Sequence, residues 1–286
     1  MGGAGGRQSD DAPYFSGQDG RGEGAGGLAR FSVFVGLVRS LAIYRARPWK
    51  DRELRRFLGG FVNHGDLVFD IGAHVGNRSL ALARLGARVV AVEPQTLYAD
   101  VLERSMGRRL VAVERCALGA EAGTTTLHVS SRHPTVSTIS LGFIARASLA
   151  TGFRSVRWDE RRQVEVRTLD MLIDRHGLPA FCKIDVEGAE GEILAGLSRP
   201  IPVIAFEYVP AVRSVALEAI DRLEVLGDYR FNRVVGEDGR WANDAWCDAE
   251  SMRRQILDLA DAAQSGDIYA ARRGSPVRAA ASPPAG

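Results

Sequence analysis

Between residues 66 and 272 short apolar runs alternate with segments whose apolar residues recur every three or four positions. The first kind reads as buried strands and the second as helices that cover them. Strands are expected at 67–71, 88–93, 110–114, 180–185, 202–208 and 229–234, with a further one at 267–272. Helices are expected at 77–85, 95–105, 188–197, 212–226 and 249–263. Runs such as Leu-Val-Phe-Asp-Ile and Val-Ile-Ala-Phe have no polar face, so they predict strands buried on both sides of a parallel sheet. Residues 120–168 break the rhythm with a strand-like 124–129, a polar loop through Ser137 and Thr138, and a strand at 163–167. They read as an insertion over the ligand-binding edge.

The N-terminal part follows another pattern. Residues 1–27 are glycine-rich and polar, too poor in apolar surface to offset chain entropy, and read as disordered. Residues 272–286 read the same way. An amphipathic helix is expected at 50–62, with Leu54, Phe57, Leu58 and Phe61 on one side. Residues 28–46 have near-helical apolar spacing interrupted by Arg30, Arg39 and Arg45. They are too short and too charged to span a bilayer. We read them as packing on their own domain, with contact to a membrane surface as the alternative.

Composition narrows the class without choosing it. The 286 residues are 45% hydrophobic and 25% charged, ordinary for a globular protein. A net charge of +2 argues against nucleic-acid binding by bulk charge. The three cysteines, Cys116, Cys182 and Cys247, have no metal-site spacing, and with no secretory leader pattern a cytoplasmic location is expected. His64, His128, His133 and His176 have no partner at a recognisable spacing and read as loop or surface residues. Arg154, Arg157, Arg161, Arg162 and Arg167 read as a solvated face, and the tryptophans as packing.

Two stretches carry chemistry. Val68-Phe69-Asp70-Ile71-Gly72-Ala73-His74-Val75-Gly76 is a buried strand followed by a tight turn and a helix. Its Gly-x-x-x-Gly spacing differs from the Gly-x-Gly-x-x-Gly of dinucleotide enzymes. Asp70 before the turn suits a ligand bearing an ammonium group and repels a pyrophosphate. Glu93 ends the next strand, where an acid accepts hydrogen bonds from ribose hydroxyls. Together these features point to an amino-acid-bearing nucleoside. The second stretch is Phe-Cys-Lys-Ile-Asp-Val-Glu-Gly-Ala-Glu at 181–190. Lys183, Asp185 and Glu187 share a face if the strand persists that far. On these residues alone a reactive centre and a solvated strand end stand level.

Asp-Ile-Gly-Ala-His-Val-Gly, Val-Glu-Pro, Ala117-Leu118-Gly119, Val166-Arg167-Thr168-Leu169-Asp170 and Lys-Ile-Asp-Val-Glu-Gly-Ala-Glu occur in that order. This series resembles the FkbM family of S-adenosylmethionine-dependent methyltransferases over about residues 60–235. The resemblance implies an α/β fold of the class I methyltransferase (Rossmann-like) kind. Its seven-stranded, mostly parallel sheet has helices on both faces, and its final strand is antiparallel. The domain would span 63–271, with the insertion at 120–168 and added helices at 28–62. The family implies O-methylation of a hydroxyl on a sugar, glycolipid or polyketide-type molecule. By matching position, Asp70, Gly72, Ala73, His74 and Gly76 would line the methionine end of S-adenosylmethionine. Glu93 would hold the ribose, and Cys116 and Ala117 would lie beside adenine. His74 stands where the family usually has Asn.

For the reaction, Asp185 is the first candidate to take the hydroxyl proton, with Lys183 and Glu187 flanking it. Glu187 reads as a second base, an acceptor for a substrate hydroxyl, or a metal ligand. Asp185, Glu187 and Glu207 could bind Mg²⁺ through oxygen, or form a metal-free cluster. The alternatives are a non-catalytic binding or regulatory protein of the same fold and an NAD oxidoreductase. The expected partner is a small-molecule hydroxyl acceptor, not a nucleic acid.

Overall fold

The computed structural model describes residues 48–150, 153–236, 239–275 and 277. The segment at 28–46, the glycine-rich 1–27 and residues 278–286 lie outside the described residues. Helix α1 (Pro48–Leu58) ends earlier than the expected 62, although Phe61 and Val62 remain buried after it. Then follow β1 (Leu67–Ile71), α2 (Asn77–Arg84), β2 (Arg88–Val92), α3 (Thr96–Met106) and β3 (Ala112–Glu114). The insertion holds β4 (Ala117–Leu118), β5 (Gly123–Val129), α4 (Leu141–Ala147) and β6 (Glu160–Arg167). The chain continues through α5 (Leu169–His176), β7 (Phe181–Ile184), α6 (Glu190–Ala195), β8 (Val203–Tyr208), α7 (Ser214–Leu226), β9 (Tyr229–Val235), α8 (Ala249–Asp258) and β10 (Gly266–Arg272).

Seven strands form one sheet in the order β3-β2-β1-β7-β8-β10-β9, and β10 runs antiparallel to both its neighbours. This is the class I methyltransferase topology. Strand alternation divides the core. Phe69, Ile71, Val90, Ile184, Ile204 and Phe206 face α5, α6, α7 and α8. Val68, Val89, Phe181, Ala205 and Tyr269 face α1 and α2. Each fully buried Phe or Ile contributes about 1.5–3 kcal/mol. The same alternation puts Asp70, Lys183, Glu207 and Asp267 on the α1 and α2 side, near the edge where the parallel strands end. The sheet β4-β6-β5 lies in the insertion.

Ordered structure continues past the expected boundary at 272. Arg272 is within β10, Arg273 pairs with Asp228, and the Ser275 hydroxyl donates to Pro202 O at 3.0 Å. Among the described residues no helix is long and apolar enough to cross a membrane.

Candidate active site

A cleft of about 570 Å³, counting its open mouth, runs along the ends of β1, β2, β3 and β7. Its floor is Ile71, Gly72 and His74 after β1. One wall is Glu93, Pro94 and Gln95 after β2, and the next is Cys116, Ala117 and Leu118 after β3. Asp185, Val186 and Glu187 close the far end, and Leu127, Thr135, Ser137, Thr138 and Ile139 of the insertion form the roof. The roof is tied down where Gln95 Nε2 donates to Pro134 O at 3.1 Å and Trp158 Nε1 donates to Val136 O at 2.8 Å.

The floor exists because Gly72 has no side chain. Its φ is +78°, and a Cβ there would stand 1.9 Å from the Asp185 carbonyl oxygen. The first loop and the end of β7 can therefore touch. Gly76 opens α2 against Leu102 and Met106 of α3. It supports the turn without lining the cleft.

Glu93 is 3% exposed. Its Oε2 accepts from His74 N at 2.9 Å and its Oε1 accepts from Gln95 N at 2.8 Å. Burial outweighs these amides and pushes its carboxyl up to about 7. His74 has φ +51° and packs on Tyr98, ring centroids 3.9 Å apart. Burial pushes the imidazole down to about 4, so it is neutral near pH 7. Its Nε2 is buried without a partner, as is the Tyr98 hydroxyl.

At the other end, a ring of four charges supports Asp185. Arg78 Nη1 lies 2.9 Å and Lys183 Nζ 3.5 Å from the same oxygen, Asp185 Oδ2. Lys183 Nζ also lies 2.7 Å from Asp267 Oδ1, and Arg78 Nη2 lies 3.5 Å from Asp267 Oδ2. Burial raises the Asp185 carboxyl, but Lys183 and Arg78 outweigh it and hold the group below the usual range. Glu187 is the reverse case. Burial, then Asp185 and Glu190, push it up to about 8. Burial and the Glu187 charge push Glu207 well above the usual carboxylate range. Glu190 fastens the loop between them: its carboxylate accepts from Val186 N at 3.3 Å and Gly188 N at 3.0 Å.

Of the expected cofactor residues, Gly72, His74, Glu93, Cys116 and Ala117 meet in the cleft. Asp70, Ala73 and Gly76 do not line it. Asp70 is 1% exposed and accepts from Ser79 Oγ at 2.5 Å, so it braces α2 from below the cleft. Asp185 and Glu187 line the cleft, but Lys183 is fully buried behind Asp185 and is not at the reacting point. The shared face expected for Lys183, Asp185 and Glu187 stops at Asp185. β7 ends at Ile184, and Glu187 adopts φ +59°. Among the described residues no three His, Cys, Asp or Glu side chains form a group that could hold a metal ion. His176 is not a loose surface residue, since its Nε2 is hydrogen-bonded to Glu114 Oε1 at 2.7 Å. Arg78 and Asp267 are the residues that sequence reasoning missed. Neither sits in a recognisable motif, and only the fold brings them to Asp185.

The cleft fits S-adenosylmethionine. Glu93 keeps lone pairs for ribose hydroxyls, Cys116 and Leu118 offer an apolar wall for a flat base, and the unpartnered His74 Nε2 offers a further polar contact. Sheet order and cleft together define an S-adenosylmethionine-dependent methyltransferase. The family model of the methyltransferase FkbM domain matches residues 70–227, and the chain belongs to that family. This displaces the NAD oxidoreductase alternative. No curated protein matches the chain. Similar solved structures include the O-methyltransferase TomG from Streptomyces achromogenes in complex with SAM. It is 14% identical, over 84% of this chain and 90% of that one, with TM-score 0.42. Precorrin-6y C5,15-methyltransferase from Geobacter metallireducens is 14% identical over 78% and 86%, with TM-score 0.41. An O-methyltransferase from Bacillus cereus in complex with SAH is 16% identical over 84% and 91%, with TM-score 0.38.

Proposed function

We propose that this enzyme methylates a hydroxyl oxygen of a small molecule of sugar, glycolipid or polyketide type. The observation that carries this reading is that Asp185 and Glu187 open into the same cleft as the cofactor residues. A hydroxyl is a weak nucleophile and must lose its proton as it reacts, so carboxylates at that point suit it. Both cations near Asp185 engage Oδ2, which leaves Oδ1 without either of them. When bound, S-adenosylmethionine supplies a methyl group on a sulfonium, which is already a good leaving centre. Glu93 and His74 would hold the nucleoside, beneath the roof at 135–139. The chain's contribution is then position and proton handling.

The test is methyl-labelled S-adenosylmethionine with a panel of methyl glucoside, a cyclohexanediol, phenol and benzylamine, read by mass spectrometry. Methyl ether products support the reading, and label on benzylamine alone overturns it. Metal-free transfer is proposed as well, so turnover should stand unchanged in excess EDTA. Loss of turnover restored by Mg²⁺ would refute that part.

A further inference from the structure

Asp185 and Glu187 share one cleft in opposite electrostatic settings. Asp185 is bonded at Oδ2 to Arg78, with Lys183 beside the same oxygen. A carboxylate paired in this way stays an anion and is a poor proton acceptor. Among the described residues no cation pairs with Glu187. Its neighbours are Asp185 and Lys183 of the β7 end, Glu190 of α6 and Glu207 of β8. Arg78 and Asp267 complete the surroundings, and both are committed to the four-charge ring.

We propose that Glu187, not Asp185, takes the acceptor's proton, and that Asp185 stands beside it as a fixed anion. This rests on the hydroxyl reading above. The acceptor oxygen bonds to the methyl carbon, and the methyl–sulfur bond breaks with its electron pair left on sulfur. The hydroxyl proton passes to a Glu187 oxygen and leaves to solvent with the product.

Geometry supports the division. Glu187 lines the cleft at φ +59°, a backbone region uncommon for a glutamate. That turn is pinned on both sides by Glu190, and Gly188 packs against the Phe143 ring of the insertion. Glu207 stands in register with Asp267 on β10. β8 runs parallel to β7, so both strands deliver their acids to one edge. A carboxylate with burial and like charges around it accepts a proton more readily than one between two cations.

The test uses the full chain and the fastest hydroxyl compound of the panel. Glu187→Gln should keep S-adenosylmethionine affinity by calorimetry and lower kcat at least about a hundredfold, with partial recovery in Glu187→Asp. Asp185→Asn should raise KM more than it lowers kcat. A readout free of any acceptor is carbon-13 carboxyl NMR of glutamate- and aspartate-labelled protein. A signal absent in Glu187→Gln should titrate near pH 8, while the Asp185 signal stays ionised throughout. Full turnover in Glu187→Gln, or an Asp185 signal titrating near neutrality, would overturn the proposal. Amine-only methylation by the wild type would instead sink the hydroxyl reading beneath it.

Discussion

Glu93 ends β2 with each oxygen already accepting one backbone amide, so a ligand hydroxyl can only add to an ordered group. The ionised form accepts from ribose hydroxyls better than the acid does, and burial places its titration at about 7. S-adenosylmethionine affinity should therefore strengthen as pH rises through about 7 and then level off. Glu93→Gln should bind about 10–100-fold more weakly, the range for a lost charged hydrogen bond, and lose that pH dependence. Calorimetry across pH checks both. Lys183 gives a second case. It is fully buried with Asp267 and Asp185 around it, and those anions outweigh burial to keep it charged. Lys183→Met would leave the acids without their central cation. A cost of about 3–5 kcal/mol is expected in urea unfolding, as for other buried pairs broken on one side. Alternation of strand residues made the Lys183 and Asp185 partnership legible in the sequence. The partnership with Arg78 and Asp267 was not, because long-range ion pairs leave no periodic trace.

At the scale of elements, the buried strands were readable because parallel strands in a covered sheet are largely apolar, and all seven strands of the main sheet lie within two residues of their expected bounds. Helix α5 was missed, although its signal is present. Thr168 caps it by accepting from Met171 N at 3.2 Å, Leu169, Leu172 and Ile173 face the core, and Gly177 ends it. Its first turn overlaps the Val166–Asp170 motif, and at eight residues it is too short for a strong periodic signal. Thr168→Ala should cost about 1 kcal/mol in denaturant unfolding. Helix α4 was hidden for another reason. Most of its contacts are with the insertion and the 210–212 turn, so its pattern follows a local cluster and not the main sheet. The roof of the cleft depends on that cluster, and its polar lining gave little warning of it.

For the whole molecule, the two charge settings of the cleft should show in stability. Glu93, Glu190 and Glu187 all titrate higher in the folded chain than their ordinary values. The folded state thus holds more protons than the unfolded one between about pH 4.5 and 8, and stability falls as pH rises through that window. Asp185 works the other way, and its share is lost only below its ordinary range. Thermal unfolding from pH 5 to 8 should show a falling Tm, smaller in slope for Glu190→Gln. Saturating S-adenosylmethionine should raise Tm throughout, by linkage.

Asp267 reaches the ring because β10 is threaded backwards between β8 and β9. The strand made last in the sheet thus supplies an anion to a site whose other parts are made much earlier. On the ribosome, a chain synthesised only through β9 carries Arg78, Lys183 and Asp185 with one positive charge too many. Domains fold as units while synthesis proceeds. Here the insertion of the final strand is also the moment at which the two cations of the ring gain their second anion. Completion of the four-charge ring is thereby tied to completion of the sheet.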